Sequence, residues 1–274
     1  MRRVGLSLLI VLGFAAAAGA GRGRLNFIPM QSQPVFWLKC NDNADSNTVI
    51  DSSGYGNHAT MRSDFELPEF NLSWTSFHTT SGVVGNALKI YNAEWSQNII
   101  QVPDAASIQF GTGSFSVCFW MTADESFGGD GAFVLYKGAQ FNIGLREIMS
   151  LDVYFVFGSE LGSSGAKFRD GDPHFVCFVR DMAIGKQILY FDGVVSGTPV
   201  SVAAVDVSYI GSDLFIGGLS ADFTWLTIFT LDEFMFFKRA LSAAEVAWLY
   251  NGGSGREDNV GELELQYPLG RERY

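Results

Sequence analysis

Leu231–Gly253 reads LDEFMFFKRALSAAEVAWLYNGG, and the architecture of the chain follows from how this stretch divides. Asp232 to Lys238 carries bulky apolar side chains on both faces, the pattern of a strand buried on its two sides inside a sheet. Ser242-Ala-Ala-Glu245 is a capping box: the Ser hydroxyl satisfies a free amide at the third helical position and Glu245 reaches back to the Ser242 amide. Val246, Leu249 and Tyr250 follow at helical spacing, and Gly252-Gly253 supplies the left-handed residue that ends a helix at little cost. A buried strand and one short docked helix therefore close the chain.

Outward from this stretch the chain is all strand. Of its 274 residues 47% are hydrophobic and 17% charged, enough to bury a large core and too apolar for disorder. With 31 Gly, 24 Phe and little helical periodicity, the composition predicts one large all-β domain. Alternating runs bounded by turn residues place strands at Ala87 to Tyr91, Asn98 to Val102, Phe115 to Thr122, Ala132 to Lys137, Gln140 to Leu145 and Leu151 to Phe157. They continue at His174 to Arg180, Gln187 to Asp192, Val200 to Asp206, Asp213 to Ile216 and Trp225 to Phe237. Such an inventory suits two antiparallel sheets packed face to face. Gly158 to Gly171 reads as a surface loop, and Asp64 to Thr80 as an irregular excursion carrying Trp74 and Phe77.

The charge and the two ends narrow the function. The formal charge is -11, and loss of Arg2 and Arg3 with a leader makes it -11 - 2 = -13. A phosphate backbone or an anionic membrane surface would repel such a chain, so no nucleic-acid partner is expected. Arg2-Arg3, the apolar run Val4 to Ala18 and the small-residue site Ala18-Gly-Ala20 read as a signal peptide over 1–20, cleaved after Ala20. An uncleaved anchor and an N-terminal arm in an assembled particle are the competing readings. Nothing later approaches a membrane span, and a secreted, extracellular protein is expected. Residues 21–33 form an N-terminal segment, 34–253 the sandwich and 254–274 an acidic, Arg-containing tail. Cys40, Cys118 and Cys177 lie far apart with no zinc spacing, so they are either lone core thiols or one disulfide with one thiol left over.

Asn41 to Asn57 is a long polar turn containing Asp-Ser-Ser-Gly-Tyr-Gly-Asn. Asp42, Asp45, Asp51 and Asn57 offer oxygens of the kind calcium takes, although Asx and Gly residues also make such turns by bonding their own backbone. Glycosidase chemistry requires two carboxylates on one face of a strand, across the scissile bond. Asp232 and Glu233 are adjacent and so are expected on opposite faces, while Glu262 and Glu264 stand in the tail. His58 and His78 lie in loops and His174 opens a strand, with no nucleophile motif near any of them. A non-enzymatic protein follows. Trp74 and Trp95 are candidate ligand-contacting aromatics, against their plain reading as packing residues.

Four motifs in order carry a family resemblance: Asp51-Ser-Ser-Gly-Tyr-Gly-Asn57; Gly85-Asn-Ala-Leu-Lys-Ile; Gly113-Ser-Phe-Ser-Val-Cys-Phe-Trp120; and a closing set of Leu189-Tyr-Phe-Asp-Gly193, Leu214-Phe-Ile-Gly-Gly218 and Leu231 to Tyr250. Over Pro34 to Gly253 the chain resembles a laminin G-like jelly roll of the concanavalin A-like lectin/glucanase superfamily. It departs from the pattern at Phe223-Thr-Trp225-Leu-Thr-Ile-Phe, and Gly255 to Tyr274 has no counterpart. The resemblance implies a two-sheet antiparallel sandwich with one C-terminal helix, and a structural calcium shared by Asp51, Asn57 and Asp232. It also implies a binding module for carbohydrate or a glycosylated protein. The alternatives are a structural or assembly protein of a cell surface or virion, joined to a larger particle, and, more remotely, a glycoside hydrolase.

Overall fold

Alternation along Phe115–Thr122 decides how the layers stack: Phe115, Val117, Phe119 and Met121 point into one apolar cluster, while Cys118 and Trp120 point into another on the opposite side. The computed structural model describes residues 33–42, 45–63, 73–79, 81–90, 92–93, 96–123, 132–138, 141–145, 153–155, 159–161, 168–219 and 228–257. In chain order the strands are β1 (Phe36–Leu38), β2 (Thr48–Val49), β3 (Ala59–Ser63), β4 (His78–Thr79), β5 (Ala87–Ile90), β6 (Asn92–Ala93), β7 (Ser96–Val102), β8 (Phe115–Thr122) and β9 (Ala132–Tyr136). They continue as β10 (Asn142–Leu145), β11 (Val153–Phe155), β12 (Ser159–Leu161), β13 (Pro173–Asp181), β14 (Lys186–Phe191), β15 (Val194–Ser201), β16 (Leu214–Ile216) and β17 (Phe229–Phe237), before helix α1 (Ala243–Tyr250).

The first sheet runs β15-β14-β13-β8-β17-β5-β4, with β1 also on β17; the second runs β12-β11-β10-β9-β16-β7-β3-β2. Between them lies the main core, in which Phe36, Phe110, Phe115, Phe119, Phe141, Phe234 and Phe236 pack ring against ring. The outer face of the first sheet is also buried, because α1 lays Val246 and Leu249 on Trp37, Trp120, Phe175, Met235 and Phe237. Two covered faces explain why FMFF and VCFW show no polar alternation.

Most of the expected strands are present within a residue or two, and the closing stretch is confirmed in its particulars. β17 sits inside its sheet, and Ser242 caps α1 by accepting from the Glu245 amide at 3.3 Å while Glu245 Oε2 accepts from the Ser242 amide at 2.8 Å. The left-handed residue that ends the helix is Asn251 (φ 51°), one position before the expected Gly pair. At the β14–β15 hairpin, Asp192 and Gly193 both have positive φ, and a Cβ at Gly193 would stand 2.8 Å from the Tyr250 ring, so the turn and the helix dock through that glycine.

Two readings need correction, and the cysteine alternatives are decided. Val200–Asp206 is not a strand beyond Ser201, because the buried Arg180 takes the carbonyls of Ala203 (3.1 Å) and Val205 (2.8 Å) that a ladder would have used. The strand that does lie there, Val194–Ser201, contains Gly197 and Pro199, which only an edge position tolerates. The expected loop Gly158 to Gly171 contains β12, paired with β11. Of the three cysteines, Cys118 and Cys177 stand opposite each other on β8 and β13 and are joined, leaving Cys40 as a buried thiol. The proposed signal peptide, residues 21–32 and the tail beyond Glu257 lie outside the described residues. No described helix is long and apolar enough to cross a membrane.

Candidate functional site

The Asx-Gly turn puts Asp51 at an isolated bridge with Leu38, where its carboxylate collects backbone amides. Oδ1 accepts from Trp37 (3.0 Å) and Ser53 (2.9 Å), and Oδ2 from Asn57 (2.8 Å). Asn57 is equally engaged, donating Nδ2 to the Val35 carbonyl at 3.2 Å and accepting at Oδ1 from the Ser107 hydroxyl at 2.8 Å. The two residues are thus brought together as a turn that fastens β1 to its neighbours, each side-chain oxygen already accepting at least one hydrogen bond. Asp232 has other company: Oδ2 accepts from the amides of Val83 (2.8 Å) and Val84 (3.0 Å) in the loop before β5, while Oδ1 is buried without a partner. No bond links it to Asp51 or Asn57, and among the described residues no group of three or more His, Cys, Asp or Glu is arranged to hold a metal. Of the three residues predicted to bind calcium, only Asp232 keeps a ligand oxygen unengaged.

A bulge makes Asp232 and Glu233 neighbours in space as well as sequence. The β17–β8 register slips between Asp232 and Met235, with Glu233 in the left-handed region at φ 51°. The expectation that adjacent carboxyls face opposite sides fails here, because the slipped residue breaks the period of two. Glu233 Oε2 accepts from the Trp37 indole at 2.7 Å, and Trp37 belongs to the same outer cluster that Val83 packs against. Burial first, and the nearby Asp232 charge second, push the Glu233 carboxyl up to about 10; burial pushes Asp232 up to about 7 against the pull of the Val84 and Val83 amides. Glu233 also bonds Glu257, which holds Asn41 Nδ2 and Lys39 Nζ (3.3 Å), so the acidic pair is closed over by the segment after α1. Glu233 is 0% and Asp232 2% exposed. Trp74 is half-buried on the inter-sheet core against Phe77 (6.1 Å between rings), so it packs as a core residue does, and Trp95 lies outside the described residues.

Sequence reasoning missed the residues that line a cleft on this side of the molecule. Lys89 pairs with Thr230, and Thr230 with Thr122, so three outward side chains from β5, β17 and β8 form one row across the sheet. With Ala123, Gly171 and Ile228 they line a cleft of about 190 Å³, at whose floor the buried core residues Ile90 and Phe229 lie. A smaller recess of about 10 Å³, the size of one water, continues past Thr122 and Thr230 to Trp120 and Asp232. Lys89 Nζ and the two threonine hydroxyls have no hydrogen-bond partner among the described residues. Nothing local in the sequence marks this row, since 89, 122 and 230 meet only through strand order.

Three comparisons bear on the chain. A family model described as the concanavalin A-like lectin/glucanases superfamily matches residues 95–247, over half of the sequence. No curated protein matches it. Among solved structures, it is similar to the binding domain of Paraclostridial Mosquitocidal Protein 1 at 15% identity and TM-score 0.59, over 81% of this chain and 52% of that one. It is similar to domain 4 of AbnA, a GH43 extracellular arabinanase from Geobacillus stearothermophilus solved with arabinotriose, at 16% identity and TM-score 0.52, over 79% of this chain and 98% of that one. It is also similar to the Trypanosoma rangeli sialidase solved with 2,3-difluorosialic acid, at 17% identity and TM-score 0.57, over 84% of this chain and 35% of that one. The chain thus spans about half the length of the toxin binding domain. At these identities the likeness is one of fold.

Proposed function

Because this chain belongs to the concanavalin A-like lectin/glucanases superfamily, we propose that it is a non-catalytic extracellular binding module whose ligand is a glycan or a glycosylated protein held in the Lys89–Thr230–Thr122 cleft. The observation that carries this reading is the cleft itself, where two hydroxyls and an ammonium without hydrogen-bond partners among the described residues stand beside Ile228. Sugars present the matching surfaces, a ring of hydroxyls and a C–H face. The arabinotriose complex of the similar AbnA domain agrees with it, as does the disulfide, a bond of oxidising compartments. The acidic pair gives no support to hydrolysis, since Glu233 is sealed under Trp37 and Glu257 where no glycosidic oxygen reaches it. A glycan array on the full chain, compared with Thr122→Val together with Thr230→Val, tests the proposal. Each lost hydrogen bond costs about 1 kcal/mol, so the double variant should bind roughly thirtyfold more weakly with its melting temperature unchanged. An array without hits, or a double variant that binds like the wild type, would sink it.

The calcium of this reading rests on Asp232, whose Oδ1 has no protein partner. An ion there would neutralise a buried carboxylate beside a second one, which is otherwise costly. At a hundredfold excess over the dissociation constant, calcium should raise stability by about 2.7 kcal/mol relative to chelator. That increment should persist in Asp51→Asn, which is a turn residue, and vanish in Asp232→Asn. An increment lost in Asp51→Asn, or kept in Asp232→Asn, would remove the ion from this position.

A further inference from the structure

Lys89 stands apart from the other described lysines. Lys39 pairs with Glu257 at 3.3 Å, Lys137 with Asp104 at 2.5 Å, Lys186 donates to Ser201 at 3.0 Å and Lys238 to the Ala106 carbonyl at 2.7 Å. Lys186 and Lys238 also lack a carboxylate but have an oxygen acceptor, whereas Lys89 Nζ has no hydrogen-bond partner among the described residues. Its backbone is well held: the Lys89 carbonyl accepts Asn98 Nδ2 at 2.9 Å, and Lys89 is in register with Thr230. The Lys89 side chain therefore leaves the sheet beside Thr230 and one strand spacing further from Thr122.

Resting on the glycan reading of this cleft, we propose that Lys89 makes it a site for a sugar that carries an anionic group, a carboxylate or a sulfate ester. The anionic group pairs with Lys89 Nζ, the ring hydroxyls bond Thr230 and Thr122, and the C–H face lies on Ile228. Direction along the row is set by charge. Lys89 stands at one end of the row and the neutral Thr122 hydroxyl at the other, so the acidic group belongs at the Lys89 end. A cleft of about 190 Å³ takes one ring, which makes the occupant a chain end or a single branch residue.

The test titrates the full chain with three oligosaccharides that differ only in the terminal residue: glucose, glucuronic acid, or glucose sulfate. Wild type and Lys89→Gln are compared at low and high salt, each with calcium and with chelator. Charge-assisted bonding should favour the two anionic probes by about ten- to a hundredfold over the neutral one. The preference should collapse in Lys89→Gln and shrink at high salt, while chelator leaves it intact. The carboxylate and sulfate arms tell which anion the cleft prefers. Equal affinity for neutral and anionic probes, or a preference that survives Lys89→Gln, would overturn the proposal while leaving the glycan reading standing. A preference abolished by chelator would overturn it in favour of a metal anchor. Binding of none of the probes would overturn the glycan reading with it. The melting temperature of Lys89→Gln should match wild type, since the ammonium bonds none of the described residues.

Discussion

Removing the Cys118–Cys177 disulfide should lower the unfolding free energy by about 4 kcal/mol, the chain-entropy value for closing a loop of this size. The two residues are 59 apart in sequence and stand opposite each other on the paired central strands β8 and β13. The bond lies in the outer cluster among Trp120, Phe175 and Met235, beneath α1. Replacing both residues by Ala adds the loss of two buried sulfurs, so the double variant should fall at least as far as the reduced wild type. Denaturant titration of the oxidised and reduced protein and of Cys118→Ala/Cys177→Ala checks this. A loss under about 1 kcal/mol in both would mean that the unfolded chain is already compact without the bond. Because domains of this kind have only about 5–15 kcal/mol in hand, the loss would be visible as partial unfolding well below the wild-type midpoint.

Asp104→Ala should cost about 3–5 kcal/mol, and Lys137→Met distinctly less, although the two share one ion pair. The Lys137 side chain is wholly buried, bonded to Asp104 Oδ1 at 2.5 Å and to the Ser212 carbonyl at 2.7 Å. Without Asp104 an ammonium is left in the interior with one carbonyl for company. Without Lys137, Asp104 still accepts from Gln109 Nε2 (2.9 Å) and the Gly211 amide (2.7 Å) and reaches solvent. Burial tends to raise the Asp104 pKa, but the bonds from Lys137, Gly211 and Gln109 outweigh it and hold the carboxyl below its ordinary 3.8. A depressed carboxyl stabilises the fold above its unfolded pKa, so this contribution is full at neutral pH and fades as pH falls below about 3.8 toward the lower folded value. Equal losses for the two variants would refute the asymmetry.

These residues show where reading a sequence stops. The buried strand Phe229–Phe237, the capping box at Ser242 and the strand Phe115–Thr122 were legible because each is written in local chemistry: apolar side chains at fixed periods, a hydroxyl three residues before a carboxylate. Val200–Asp206 misled for the same reason. Its alternation is real, yet a guanidinium more than twenty residues away claims its carbonyls, and no local pattern records that. Asp51 and Asn57 were found as turn residues by type, while their bonding to Trp37 and Ser107 appears only once the strands are placed.

Composition and periodicity by themselves determined a two-sheet all-β sandwich, the closing helix and its cap, and the acidic character that argues against nucleic acid, because these are sums or short-range patterns along one chain. Tertiary structure alone decided that Cys118 meets Cys177, that a bulge at Glu233 turns two neighbouring carboxyls to one side, and that Lys89, Thr230 and Thr122 form a row. The physical reason is shared by all three. In an antiparallel sheet the partners of a side chain are set by register and strand order, which depend on how every strand buries its face at once.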